Sequence, residues 1–217
     1  MKKALVVRGG WDGHEPKQCS DLFVPWLKDG GFDVRVSDTL DVYTEKDYMR
    51  SLSVVVPVWT MGQIAGEQER GLLEAVKGGV GIAGWHGGMC DSFRNNTEYQ
   101  FMTGGQWVSH PDGIVPYEVN IVNKTDPITR GIADFTITSE QYYLHVDPSN
   151  EVLAVTVFDS PKYPWIRGTV MPVVWKRMWG DGRVFYSSLG HVAADFQVPQ
   201  VIDMMKRGIL WAARVSG

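Results

Sequence analysis

Histidine is the residue in this sequence with the most chemical potential, and all five histidines fall in predicted loops or at predicted strand ends. Imidazole can act as a base, an acid or a metal ligand near neutral pH. His86 lies in the sequence GWHGG at residues 84–88, which predicts a sharp strand-to-helix elbow with its tip at the sheet edge. Hydrolases place Ser or Cys at such a tip, so His86 indicates acid/base or metal chemistry.

A second histidine is predicted at the same edge as His86. His191 follows Gly190 just after the last predicted strand, residues 183–187. Two histidines from distant segments at one sheet edge are stronger evidence for a site than either alone. Several of the remaining candidates are expected to converge on them, and these are His14, His110, His145 and, as a carboxylate, Glu140.

A divalent metal such as zinc is a hypothesis at this stage. Histidine with Glu or Asp and water suits such an ion, but the sequence has no HExxH-type spacing. The candidate ligands are His86, His110, His145 and His191. No other cofactor is indicated. The two cysteines, Cys19 and Cys90, have no metal-ligand spacing and are predicted to be small buried side chains.

Aromatic residues beside glycines and polar loops suggest walls of a ligand site. Nine Trp occur, and indole faces stack on sugar rings, although large aromatics more often fill cores. A sugar is accordingly the expected small-molecule partner. The predicted substrate-binding residues are Trp11, His14, Trp59, Trp85, Gly87, His110, Tyr142 and His145.

The elements that must position these residues change character along the chain. The first half alternates between strand and helix, which predicts a parallel, doubly wound α/β sheet with its ligand site at the carboxyl ends of the strands. The predicted strands are residues 3–7, 32–36, 53–59 and 80–84, and the helices are 16–29, 45–51 and 67–78. The second half predicts extra, antiparallel strands at 117–122, 135–138, 152–157, 171–175 and 183–187, then a helix at 199–213.

Composition limits the classes of protein to consider. The 217 residues carry a net charge of −4, are 44% hydrophobic and contain no basic run, which argues against a nucleic-acid partner. The chain is expected to form one domain over residues 1–217 without membrane association. The N-terminus has no signal-peptide pattern, so a cytoplasmic location is predicted. A homodimer is the commonest assembly for such proteins.

Several motifs in order along the chain resemble the ThuA-like (trehalose utilisation) family. They are residues 84–88, GGQWVSH at 104–110, DPITRGI at 126–132, SEQYY at 139–143, PVVW at 172–175 and GDGRVFYSSLGH at 180–191. The resemblance implies a flavodoxin-like fold similar to class I glutamine amidotransferases. In those enzymes a cysteine at the elbow pairs with a histidine after the last strand. Here His86 holds the elbow position and His191 resembles the paired histidine, so glutamine hydrolysis is not expected.

The family resemblance also implies carbohydrate catabolism, since members are associated with trehalose and related disaccharides, often beside dehydrogenases that make 3-keto sugars. Residues 59–66 read WTMGQIAG and lack the His-rich segment of trehalose-type members, which leaves the sugar open. The leading hypothesis is a sugar-catabolic hydrolase, lyase or isomerase with His86, His191 and Glu140 as catalytic residues. The alternatives are a non-catalytic sugar-binding or regulatory protein, and a hydrolase that uses Cys90.

Overall fold

A nine-stranded sheet forms the centre of residues 1–214, the part of the chain that the computed structural model describes. The first half alternates between strand and helix, as the hydrophobic pattern predicts. Its elements are β1 (Lys2–Gly10), α1 (Pro16–Asp29), β2 (Phe32–Ser37), α2 (Lys46–Ser51), β3 (Val54–Thr60), α3 (Gly66–Lys77) and β4 (Gly81–Trp85).

The second half contains the five predicted strands and the final helix, together with two strands that were not predicted. Its elements are α4 (His86–Cys90), α5 (Thr97–Thr103), β5 (Gly105–Ser109), β6 (Ile114–Ile121), β7 (Phe135–Glu140), β8 (Tyr143–Val146), β9 (Glu151–Val157), β10 (Val170–Trp179), β11 (Gly182–Ser187) and α6 (Pro199–Ala212). Of the five predicted strands, β11 pairs parallel with β4 and antiparallel with β10. The unpredicted strands β5 and β8 pair with each other in a separate antiparallel ribbon.

The strand order of the large sheet explains how distant residues meet. The order is β2-β1-β3-β4-β11-β10-β9-β6-β7. The first five strands run parallel to their neighbours, and the remaining four continue in antiparallel fashion. The predicted mixed α/β architecture, a parallel sheet extended by antiparallel strands, is therefore confirmed. Because β11 pairs with β4, the segments after these two strands lie side by side.

Two apolar clusters, one on each face of the sheet, make up the core. Strand β1 shows the division: Ala4 and Val6 belong to the cluster beneath α1 and α6, whereas Leu5 and Val7 belong to the cluster beneath α3 and α5. Side chains alternate between the two faces of a strand, so a strand covered on both faces is apolar throughout. Within the described residues, no helix is long and apolar enough to cross a membrane.

A glycine pair tests how closely α6 packs on β11. A Cβ added at Gly208 in α6 would lie 2.1 Å from the buried Phe185 ring, whereas one added at Gly66, at the start of α3, would meet nothing within 4 Å. We expect Gly208→Ala to lower the free energy of unfolding by about 1–3 kcal/mol through overpacking.

The matched control is Gly66→Ala, which should be neutral or stabilise the fold by up to about 1 kcal/mol. Urea denaturation of the two variants and the parent protein measures both effects. Equal stability of the two variants would contradict the close packing of α6 against Phe185.

Candidate functional site

The elbow predicted at residues 84–88 is present and carries backbone strain. His86 follows directly on β4 with a φ of 44°, and only 1% of its surface is exposed. Positive φ is rare for a residue with a Cβ and is typical of functional turns. The Tyr186 hydroxyl donates a hydrogen bond to the His86 backbone carbonyl at 3.0 Å. Strand β11 therefore helps to hold the strained turn.

Both ring nitrogens of His86 are engaged. Its Nδ1 lies 2.8 Å from the Ser188 backbone carbonyl oxygen, and its Nε2 lies 3.1 Å from Glu140 Oε2. A carbonyl oxygen can only accept, so Nδ1 carries a proton. The Tyr142 ring stacks on the imidazole with centroids 3.8 Å apart. Burial lowers the pKa of His86 to about 4, with the contact to Glu140 opposing that shift.

Glu140, at the end of β7, is the centre of the site. Its carboxylate is buried and faces the Nε2 atoms of four histidines, at 3.1 Å for His86, 3.7 Å for His110 and 3.8 Å for both His14 and His191. We call these five residues the Glu140 cluster. Burial raises the pKa of Glu140, but the contacts with His14 and His86 outweigh burial and hold that pKa far below its usual range.

His14 and His191, the two histidines at 3.8 Å, also contact neighbouring polar groups. His14 Nδ1 lies 2.9 Å from the Thr60 hydroxyl at the end of β3. The His191 backbone N–H donates to Asp195 Oδ2 at 2.9 Å, and the Ser139 hydroxyl donates to the same oxygen at 2.6 Å. Burial also lowers the pKa of His191. The Thr60 contact fixes the direction of the His14 ring, and the Asp195 contact fixes the backbone that carries His191.

His110 forms the more open side of the Glu140 cluster, with 40% of its side chain exposed against 12% for His191. Trp107 lies beside it, with ring centroids 5.9 Å apart. The Arg94 guanidinium lies over the Trp107 ring at 4.3 Å and binds the buried Asp91 carboxylate through two hydrogen bonds. A cationic and aromatic rim thus borders the open side.

Two other predicted site residues, Trp11 and Gly87, border His14, and a third, Trp59, packs against glycines. The Trp11 ring meets His14 edge-on at 4.8 Å and is half exposed. The Trp59 indole lies against Gly9 and Gly62 at the end of β3. A Cβ added at Gly87 would meet the His14 ring at 2.5 Å, so this glycine allows His14 its position.

Two predicted site residues lie away from the Glu140 cluster. Trp85 is 2% exposed and packs against Phe23 and Phe196 in the core, because its side chain points to the α1 and α6 face of the sheet. It does not wall a sugar site. His145 lies on β8 with its side chain exposed, and it is absent from the described imidazoles around Glu140. His145 is therefore withdrawn as a substrate or metal contact.

Four polar residues of the site were missed from the sequence: Thr60, Asp91, Ser188 and Asp195. Thr60 and Ser188 each follow a predicted strand at its carboxyl end, which is a usable signal in a parallel sheet. Ser188 contributes only its backbone carbonyl, and such a contact has no residue-type signature. Asp195 lies four residues after His191, and only the turn between them brings its carboxylate to the His191 backbone.

Neither cysteine is placed to act as a nucleophile. Cys90 is 1% exposed and Cys19 is fully buried. Burial raises the pKa of Cys19 to about 12 and that of Cys90 further still. The thiolate is the reactive form, so the hypothesis of a Cys90 hydrolase is opposed by the structure.

The sequence from residue 3 to residue 212 matches the family model ThuA, described as trehalose utilisation. The chain belongs to the ThuA family. No curated protein matches this sequence.

Solved structures of similar fold include two ThuA-like proteins. The one from Bacteroides uniformis has a TM-score of 0.78 at 18% identity, covering 97% of this chain and 91% of its own. The one from Parabacteroides merdae has a TM-score of 0.74 at 17% identity, covering 100% and 92%. A β-galactosidase from Bacillus circulans is also similar, with a TM-score of 0.57 at 16% identity, but the match covers 94% of this chain and 31% of the enzyme. At such low identities, these structural similarities show a shared fold alone.

A methyl group at Gly87 tests the packing of the cluster. Ordinary carbon contacts need about 3.5–4.0 Å, so Gly87→Ala should displace the His14 ring, which would otherwise be 2.5 Å from the new Cβ. We expect the crystal structure of the variant to show the ring shifted by about 1 Å relative to the parent. An unmoved His14 ring would contradict this packing.

The thiols provide a separate prediction. Because Cys19 and Cys90 are buried with raised pKa values, we expect iodoacetamide at pH 7.5 to leave the native protein unmodified for hours. In denaturant the same reagent should add two labels, which intact-mass spectrometry counts. Rapid labelling of one thiol in the native protein would restore Cys90 as a candidate nucleophile.

Proposed function

We propose that this ThuA-family protein is an enzyme of carbohydrate metabolism that acts on a disaccharide or glycoside bearing a ketone on one sugar ring, by proton transfer within the Glu140 cluster. The carrying observation is the convergence of four imidazoles on one buried carboxylate. The family description of trehalose utilisation supports the substrate class. His86, His191 and Glu140 are the proposed catalytic residues, and His110 faces the substrate from the open side.

A ketone suits this set of groups because it acidifies the neighbouring C–H bond, so an imidazole can remove that proton. The electron pair left on carbon forms a C=C bond and expels the glycosidic oxygen, which takes a proton from an imidazolium. Water can then add across the double bond. The net reaction is hydrolysis of the glycoside without a covalent enzyme intermediate. The least buried imidazoles, His110 and His191, are best placed to exchange protons with a substrate.

The surroundings of the cluster offer groups that suit a sugar. The half-exposed Trp11 ring borders His14. A separate cavity of about 220 Å³, which shares no lining residue with the cluster, is lined by Gly62, Gln63, Ile64, Phe93, Asn95 and Asn96. Amide side chains donate to and accept from hydroxyl groups. The cavity is smaller than the roughly 300–1,000 Å³ that drug-sized ligands occupy, and so would take one sugar ring.

The other expectations from the sequence remain proposals that the fold supports to different degrees. The strand order β2-β1-β3-β4-β11 supports a flavodoxin-like arrangement and the class I glutamine amidotransferase-like scaffold. A single domain over residues 1–217, the last three of which lie outside the described residues, remains a prediction, as do a cytoplasmic location and a homodimer. A sugar is the proposed partner, and neither nucleic acid nor membrane is proposed.

The test of the proposed function is turnover of an oxidised glycoside. A 3-keto glucoside or 3-keto trehalose, incubated with the protein and followed by NMR, should release its second sugar or aglycone. We expect Glu140→Gln and His191→Ala to lower kcat by about 10²–10⁴-fold, which is the usual contribution of acid/base groups. His145→Ala removes an imidazole outside the cluster and should retain full turnover.

Two outcomes would overturn the proposal. Full activity of both Glu140→Gln and His191→Ala would remove the cluster from the chemistry. Saturable binding of keto sugars, with no chemical change over a range of such substrates, would favour the alternative of a sugar-binding or regulatory protein.

A further inference from the structure

The charge of Glu140 lacks a permanent counterion. Its carboxylate is 9% exposed, and its ion-pair partners within residues 1–214 are imidazoles, with no Lys or Arg among them. A buried carboxylate needs a partner of opposite charge or full hydrogen bonding. His86 supplies one contact through Nε2, while its Nδ1 proton is committed to the Ser188 carbonyl. Within the described residues the carboxylate therefore faces imidazoles, none of which carries a permanent positive charge.

We propose that His14, Glu140 and His191 bind one divalent transition-metal ion. The inference deepens the proposed function and has a test that needs no sugar. One ligand atom from each residue lies within 4.8 Å of the others, and His14 and His191 approach different oxygens of the carboxylate, each at 3.8 Å. Metal–ligand distances near 2.0–2.1 Å place tetrahedral ligands about 3.3 Å apart. Small side-chain movements therefore bring the three groups to a common ion.

The surroundings of these ligands have the features of a metal site's outer contacts. A metal-binding imidazole uses one nitrogen for the ion and fixes its ring with the other. His14 directs Nε2 toward Glu140 and contacts the Thr60 hydroxyl through Nδ1. His191 is fixed through its backbone, which donates to Asp195. Besides its proposed catalytic role, His86 positions Glu140 Oε2 through the 3.1 Å contact of its Nε2.

The donor set indicates the class of ion. Two imidazole nitrogens and one carboxylate form the protein part of many catalytic zinc sites, which keep a further position open. The same set also suits Fe²⁺, whereas Mg²⁺ and Ca²⁺ prefer oxygen ligands throughout. An ion held by these three residues would have a free coordination position at which it could bind and polarise a carbonyl oxygen of the substrate. With an ion bound by His14, Glu140 and His191, the proton transfer assigned above to His191 would pass to His110, and His191 and Glu140 would act as ligands.

The experiment is a Zn²⁺ titration of protein purified without a histidine tag and stripped with a chelator. Affinity is measured by competition with a chromophoric chelator, and stoichiometry by elemental mass spectrometry after dialysis. We compare the parent protein with His14→Gln, His191→Gln and the matched control His145→Gln, each of which removes one imidazole. Thr60→Val tests the outer contact, and circular dichroism melts establish that each variant is folded.

We expect one equivalent of Zn²⁺ in the parent and in His145→Gln. His14→Gln and His191→Gln should bind at least tenfold more weakly, and Thr60→Val about tenfold more weakly, as loss of an outer contact does elsewhere. If a ligand variant fails to fold, Thr60→Val and the visible spectrum of the Co²⁺-loaded parent, which reports nitrogen and oxygen coordination, decide in its place. No stoichiometric binding by the parent, or equal affinity in all folded variants, would overturn the metal site. Turnover of keto sugars without metal would leave the proposed function standing.

Discussion

The structure of this site depends on one buried carboxylate. Glu140 lies at the end of β7, and four imidazoles from four other segments turn their Nε2 atoms to it. Each histidine has a different local contact. His86 lies in a strained elbow, His14 contacts a hydroxyl, the His191 backbone N–H donates to the Asp195 carboxylate, and His110 has an aromatic neighbour. Without the Glu140 carboxylate, the four imidazoles would have no shared partner.

The topology supplies the convergence. The parallel half of the sheet brings the ends of β1, β3 and β4 to one edge, and β11 joins that edge by pairing with β4. The antiparallel half then carries Glu140 back to the same place at the end of β7. The antiparallel extension of the sheet is thus part of the site, because it delivers the only carboxylate in the described part of the chain that contacts these imidazoles.

Much of this arrangement was predictable, for physical reasons that differ between residues. The elbow at His86 and the strand end before His191 were predicted because glycines flank buried strands in a parallel sheet. His145 lies outside the cluster because it falls at an exposed position of β8, a strand that was not predicted. Trp85 was misplaced because one step along a strand reverses the face on which a side chain lies. The Ser188 carbonyl and the Asp195 carboxylate depend on turn geometry that composition does not encode.

The central claim is that Glu140 organises four of the five histidines. Long-range ¹H–¹⁵N correlation of the histidine side chains, recorded for the parent protein and for Glu140→Gln, tests it most directly. The account predicts that the ring nitrogens of His14, His86, His110 and His191 all shift in the variant, while His145 stays unchanged, and that the parent His86 carries its proton on Nδ1. Unchanged resonances for the four, or an equal shift for His145, would contradict it.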